Sequence, residues 1–210
     1  MHTHQSLFRG DQNVFYDSGD PDRLSKVARC FIAGLLRHAG EITSITNQWI
    51  NSYKRLVLSQ ENDPLGYEAP VYVSWANVNR SDLIRVPAYK EGRESSRRVE
   101  YRAPDSACNP YLAFSVMLAA GLEGIENEYD LPPPVQANVH KMSDTERKSL
   151  GIDTLPSSLR EAINLTEKSD LVRKALGDHV FGSFIENKRI EWDEYRSQVT
   201  DYEIRRYLPI

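Results

Sequence analysis

Arg98-Val99-Glu100-Tyr101-Arg102 is a compact source of possible chemistry. In an extended chain alternate side chains share a face, so Arg98, Glu100 and Arg102 lie together and Arg97, Val99 and Tyr101 lie opposite. A carboxylate between two guanidiniums can form a structural ion-pair ladder. It also suits a site where the carboxylate holds a divalent cation and the arginines hold an anionic substrate. Residues 80–102 carry Arg80, Arg85, Arg93, Arg97, Arg98, Arg102 and Lys90 against Asp82, Glu91, Glu94 and Glu100. That is a local net charge of +3 in a chain of −4, leaving −7 for the remainder. A basic patch in an acidic chain suggests an anionic ligand of limited size, and arginine suits bidentate recognition of carboxylate or phosphate. The plainer alternative is a set of strand edges protected by charge. His2-Thr3-His4 would put two imidazoles on one face of an extended segment, a weak metal signal unless other ligands converge. Glu68, in Gly66-Tyr67-Glu68-Ala69-Pro70, is a loop acid that could serve as a lid and general base, or simply be solvated. Neither GxxxxGK[ST] nor GxGxxG occurs, so a bound nucleotide would not be cradled by those devices.

These residues need a scaffold. The chain has 210 residues, 40% apolar and 27% charged, which excludes disorder over most of its length and allows a sizeable core. The acidic balance argues against nucleic acid as a partner, and the apolar runs are too short to cross a membrane. Residues 1–20 lack the apolar stretch of a secretory signal. Cys30 and Cys108 imply no disulfide framework and fit a reducing cytoplasm. Pro21-Asp22 opens a helical pattern in which Leu24, Phe31, Ile32, Leu35, Ile42 and Ile45 recur at threes and fours. Residues 71–75, 83–86 and 98–101 are rich in strand formers, with a charged turn at 90–94. Asn109-Pro110 reads as an N-cap and first turn, and Leu131-Pro132-Pro133-Pro134 ends that helix. Shorter helices are expected near 143–149, 157–167, 168–177 and 180–198. Cys30, Phe31, Tyr111, Phe114, Phe181 and Phe184 read as core. The class is α+β, with a few strands in the first half and helices around them.

Taken in order, Met-His-Thr-His-Gln-Ser-Leu (1–7), Asn-Ser-Tyr-Lys-Arg-Leu (51–56), Gly-Tyr-Glu-Ala-Pro (66–70), Asn-Arg-Ser (79–81), Ile-Arg-Val-Pro (84–87), Ser-Arg-Arg-Val-Glu-Tyr-Arg (96–102) and Pro-Asp-Ser-Ala-Cys-Asn-Pro-Tyr-Leu (104–112) resemble glutamine synthetase of the bacterial and archaeal type. The resemblance covers the whole chain. It implies the C-terminal part of that family's catalytic domain, a curved antiparallel sheet flanked by helices with a helical C-terminal part. The family's N-terminal β-domain and the first part of its catalytic domain, which carries most of the metal-binding glutamates, are not represented in the resemblance. The implied activity is ATP-dependent ligation of ammonia to glutamate through a γ-glutamyl phosphate, with Mg²⁺ or Mn²⁺, in a cytoplasmic homo-oligomer of stacked rings. By the resemblance His2 and Glu100 are metal ligands, and His4, Ser6, Arg80, Arg85 and Arg98 face ATP. Arg55, Glu68, Arg80 and Arg102 hold glutamate, and Glu68 and Arg80 are catalytic. The stretch from Leu58 to Leu65 makes the loop before Glu68 longer than the family's usual flap. This motivates an alternative, a ligase joining glutamate to an amine larger than ammonia. A truncated, non-catalytic subunit is a second alternative.

Overall fold

The computed structural model describes residues 1–57, 70–77 and 81–208. The chain opens on β1 (Thr3–Gln5) and a small hairpin of β2 (Phe8–Arg9) and β3 (Gln12–Asn13). Helices α1 (Lys26–Arg37), α2 (Ala39–Thr46) and α3 (Ser52–Arg55) follow. Then come β4 (Trp75–Ala76), β5 (Ile84–Arg85) and β6 (Val99–Tyr101). The rest is helical: α4 (Pro110–Glu126), α5 (Asp144–Ser149), α6 (Leu159–Glu167), α7 (Asp170–Leu176), α8 (Asp178–Arg196) and α9 (Asp201–Tyr207).

Four strands form one sheet in the order β1-β6-β5-β4. β6 pairs antiparallel with β1 and with β5, while β4 runs parallel to β5 at the far edge. The α+β class expected from sequence holds, with a sheet that is mixed at one edge. The strands are shorter than their β-forming runs. Of residues 71–75 only Trp75 joins the sheet. The preceding residues bond to the chain before α6 instead: Val73 N–H donates to Asp153 O at 2.8 Å, and Leu155 N–H to Val71 O at 2.7 Å.

The helical pattern from Leu24 to Ile45 is two helices. Pro21-Asp22 does not start it; Ser25 does, its Oγ accepting from Ala28 N–H at 3.1 Å. The pattern divides at His38, whose N–H closes α1 on Gly34 O while its carbonyl starts α2 by accepting from Ile42 N–H. Spacing alone hid the break because the apolar phase resumes beyond it. Asn109 caps α4 as expected, accepting from the Tyr111 and Leu112 N–H groups, with Pro110 in the first turn. The start of α6 is set by Ser158, whose side chain accepts from Glu161 N–H, while Glu161 reaches back to Ser157.

One face of the sheet and the apolar faces of α1, α2, α4 and α6 enclose a single core. Phe31, Ile32, Leu35, Ile42, Ile45, Ile84, Val99, Tyr101, Val116 and Met117 are almost wholly buried within it. Phe31 and Phe181 are core as expected, and Phe184 packs against it. Tyr111 and Phe114 are not: they are 82% and 51% exposed. The buried side of α4 is made by Ala113, Val116, Met117, Ala120, Gly121 and Gly124, so those two rings project the other way with Leu118 and Leu122. Cys30 and Cys108 are both free and buried. Among the described residues no helix is long and apolar enough to cross a membrane.

A candidate catalytic face on the sheet

The register of the sheet assembles the charged side chains. His4 lies opposite Glu100 across the β1–β6 ladder, and Arg85 lies opposite Glu100 on its other side. Directly paired residues share a face. His2 and Arg102, just beyond the strand ends, reach Glu100 on that face, and Arg98 reaches His4. Six residues singled out from the sequence thus gather on one face of the sheet. The opposite face, with Val99, Tyr101 and Ile84, is the one that meets the core.

Glu100 is the hub. It is buried, 2% exposed, yet surrounded by cations. His2 Nδ1 is 2.7 Å from Glu100 Oε1, Arg85 Nε donates to Oε2 at 2.6 Å, and Arg102 Nη1 is 3.5 Å from Oε1. Burial pushes the carboxyl up. The hydrogen bond and charge of Arg85, then the charges of Arg102 and His2, together outweigh it and hold the group below its ordinary value. Glu100 is therefore ionised at neutral pH. Burial, and next the Arg102 charge, lower the pKa of His2 despite the opposing pull of Glu100, so its imidazole is mostly neutral. A neutral imidazole beside a carboxylate is the protonation state that metal binding needs.

The donor types, one imidazole and one hard carboxylate, suit Mg²⁺ or Mn²⁺. The number does not suffice. Among the described residues no three His, Cys, Asp or Glu side chains gather into a metal site. His2 and Glu100 fit as two ligands of a larger set, and both Glu100 oxygens already face protein cations, Oε2 the Arg85 guanidinium and Oε1 that of Arg102.

The remaining predicted residues flank this hub. Arg98 Nε donates to His4 Nδ1 at 3.2 Å, which places both near the end of β1 where Ser6 is exposed. Arg55, at the end of α3, reaches the segment after β6: its Nε donates to Asp105 Oδ1 at 3.1 Å and its Nη2 to Ala103 O. Ser52 Oγ bonds the same carboxylate. Asp105 is thus the anchor that aims Arg55. Sequence reading quoted it within Pro104-Asp105-Ser106 without giving it a role. Glu68 and Arg80 lie outside the described residues.

Asp82 was also passed over. It is fully buried, with Oδ1 accepting from Ser74 Oγ at 2.6 Å and Oδ2 without a partner. Burial pushes its carboxyl up to about 6, against the hydrogen bond from Ser74 and the charge of Arg102. The folded value lies above the ordinary 3.8, so the folded chain keeps a proton that the unfolded chain gives up. The stability Asp82 contributes is complete below about pH 4 and is lost as pH rises through about 6. Asp82→Asn should remove that slope and stabilise the chain at pH 7.5 by about 2–3 kcal/mol. Urea unfolding of both forms at pH 4.5 and 7.5 checks this; parallel pH dependences in the two forms would refute it.

The family model for the glutamine synthetase catalytic domain matches residues 1–207. The chain belongs to the glutamine synthetase family. It is 54% identical to the glutamine synthetase of Mycolicibacterium smegmatis over 210 residues, which is all of this chain and 46% of that protein. It is 49% identical to that of Thermotoga maritima over 208 residues, 99% of this chain and 45% of the relative. The chain thus spans less than half the length of the curated relatives it matches. Among solved structures, GmaS without ligand superposes with a TM-score of 0.81 at 32% identity, covering all of this chain and 44% of GmaS. The GmaS complex with ADP gives 0.83 at 31% identity, over 46% of that chain. For a glutamine synthetase catalytic domain, the charged face built on β1, β5 and β6 is the candidate site.

Proposed function

We propose that this chain is the C-terminal part of a glutamine synthetase catalytic domain and acts with the portion of its relatives' length that it does not cover. The whole protein would ligate ammonia to glutamate at the expense of ATP through a γ-glutamyl phosphate. The observation that carries this reading is Glu100, an ionised buried carboxylate held among His2, Arg85 and Arg102 in a chain of this family.

His2 and Glu100 would contribute two ligands to a divalent cation, whose chemistry is to neutralise phosphate charge. The chain's own residues do the rest. Arg55 and Arg102 would hold the carboxylates of glutamate, with Arg55 aimed by Asp105. Arg85 and Arg80 would stabilise charge on the phosphoryl group as it moves, a role for which fixed guanidiniums are suited. His4, Ser6 and Arg98 would line the nucleotide; among the structural matches GmaS is solved with ADP. Glu68 would close over the site and take a proton from ammonium, leaving ammonia free to attack the acyl phosphate and expel phosphate.

The isolated 210 residues should turn over little, since two metal ligands hold a cation weakly. Phosphate release is measured with glutamate, ATP and Mg²⁺, with ammonia and then a panel of larger amines, for this chain and for a form extended to the relatives' length. The expected result is turnover by the extended form with ammonia and none above background by the short chain. Turnover with a larger amine alone would replace the reading by the amine-ligase alternative. No turnover by either would favour a non-catalytic subunit.

A further inference from the structure

β6 ends at Tyr101, and the chain then leaves the sheet through residues 102–105. This short segment links the two arginines proposed to hold glutamate: Arg102 opens it, and Arg55 bonds to it from α3. Its backbone is tied at both ends. Arg102 N–H donates to Leu83 O at 3.0 Å, and Asp105 N–H donates to Thr46 O at 2.9 Å. Between them Ala103 O accepts from two donors, Asn47 Nδ2 at 2.8 Å and Arg55 Nη2. A carbonyl oxygen has two lone pairs, so these two donors fill it.

The Asn47 side chain is not needed to end α2, because its backbone N–H already closes that helix on Thr43 O at 2.8 Å. It is fully buried. Its Oδ1 accepts from the Thr46 hydroxyl at 2.8 Å while Nδ2 faces Ala103 O. Turning the amide over would set two acceptors against each other at Ala103, so the amide has one orientation. The end of α2 thus holds residues 103–105 by a Thr46 carbonyl and an Asn47 side chain. From the other side, Ser52 and Arg55 hold the same segment at Asp105. With Arg55 Nε on Asp105 and Nη2 on Ala103 O, the place of Ala103 O sets the tilt of that guanidinium.

We propose that Asn47 is a positioning residue for glutamate. Through Ala103 O it fixes how the Arg55 guanidinium stands relative to Arg102, one residue away from that carbonyl. The inference rests on the ligase reading, in which these arginines hold the two carboxylates of glutamate. Two cations kept at one spacing suit a substrate with two anionic groups, and a misplacement of about 1 Å can cost about a hundredfold. Arg98 and His4, assigned to ATP, bond each other at the opposite end of β6 and do not depend on this clamp.

The test is made in the form extended to the relatives' length, with KM measured separately for glutamate and for ATP. Asn47→Ala should raise the glutamate KM at least about tenfold and leave the ATP KM within about twofold. Folding should survive, because Ala103 O keeps Arg55 and the Thr46 hydroxyl can turn to Ile42 O at 3.3 Å. Thr46→Val, which frees the Asn47 amide without deleting it, should give the same split at smaller size. Combined with Arg55→Lys, Asn47→Ala should raise the glutamate KM by clearly less than the product of the two single effects, since both act through one carbonyl. A purely structural Asn47 would lower the active fraction, and hence kcat, with both KM values unchanged; that result overturns the proposal. So does an equal rise in both KM values, or a multiplicative double variant. If Asn47→Ala does not fold, a parental glutamate KM in Thr46→Val overturns it as well. A parent protein without glutamate-dependent turnover would instead sink the ligase reading, and this role with it.

Discussion

Glu100→Ala, made in a protein of the relatives' full length, should lower turnover by at least about a hundredfold, since losing even an outer-shell partner of a metal's ligands costs about 10–100-fold. The variant removes one proposed ligand and also the counter-ion that holds three other site residues. Arg85 and Arg102 would lose the carboxylate they share, and His2 would lose its 2.7 Å partner. Breaking a buried ion pair by deleting one partner costs about 3–5 kcal/mol, so thermal unfolding must be measured with the kinetics. Glu100→Gln separates the two effects. Its amide oxygen can still accept from Arg85, so it should fold better than the alanine variant while remaining a poor ligand for a hard cation. Raising Mg²⁺ should therefore rescue neither variant fully. Near-normal turnover by a folded Glu100→Gln protein would remove Glu100 from the metal site and leave the ion-pair ladder as its only role.

Much of this face is legible in the sequence. The alternation at 97–102 fixed which side chains could share a face, and the two histidines of an extended N-terminal segment fell on one side for the same reason. What alternation could not supply was pairing. Whether β1 lies beside β6, and in which register, depends on tertiary packing. Only that register turns His2, His4, Arg85 and Glu100 from separate motifs into one cluster. Asp105 and Asp82 were missed for a related reason: each matters through a partner far away in sequence or through burial, and neither leaves a local pattern. The division at His38 was hidden because two helices in phase read as one. Tyr111 and Phe114 were misplaced because an aromatic residue on a helix of small side chains says nothing about which face is inward. The glycines of that helix carried the missing signal.

Gly34 and Gly124 weaken helices by propensity, yet both lie where α1 crosses α4. A Cβ on Gly34 would stand 2.1 Å from Ala120 O, and one on Gly124 would stand 2.2 Å from Cys30 O. Those neighbours are helix backbone, so no side chain can swing aside to make room. Gly121 completes the contact by letting the Phe31 ring lie where its own Cβ would be, about 2.1 Å away. Gly124→Ala can be accommodated only by moving the helices apart. That would loosen Phe31, Met117 and Val116 in the core beneath the sheet. Overpacking of this kind typically costs about 1–3 kcal/mol, and a backbone clash belongs at or above the upper end. Urea unfolding should show a loss of about 3 kcal/mol or more for Gly124→Ala and for Gly34→Ala. Gly182→Ala is the control: a Cβ there meets nothing within 4 Å, and alanine favours helix by about 1 kcal/mol, so that variant should gain stability. Because the helices are already separated in either single variant, Gly34→Ala and Gly124→Ala together should cost clearly less than the sum of the two. Additive losses would mean that each helix shifts on its own. Stability equal to the parent in either single variant would mean that α1 and α4 do not pack backbone to backbone at all.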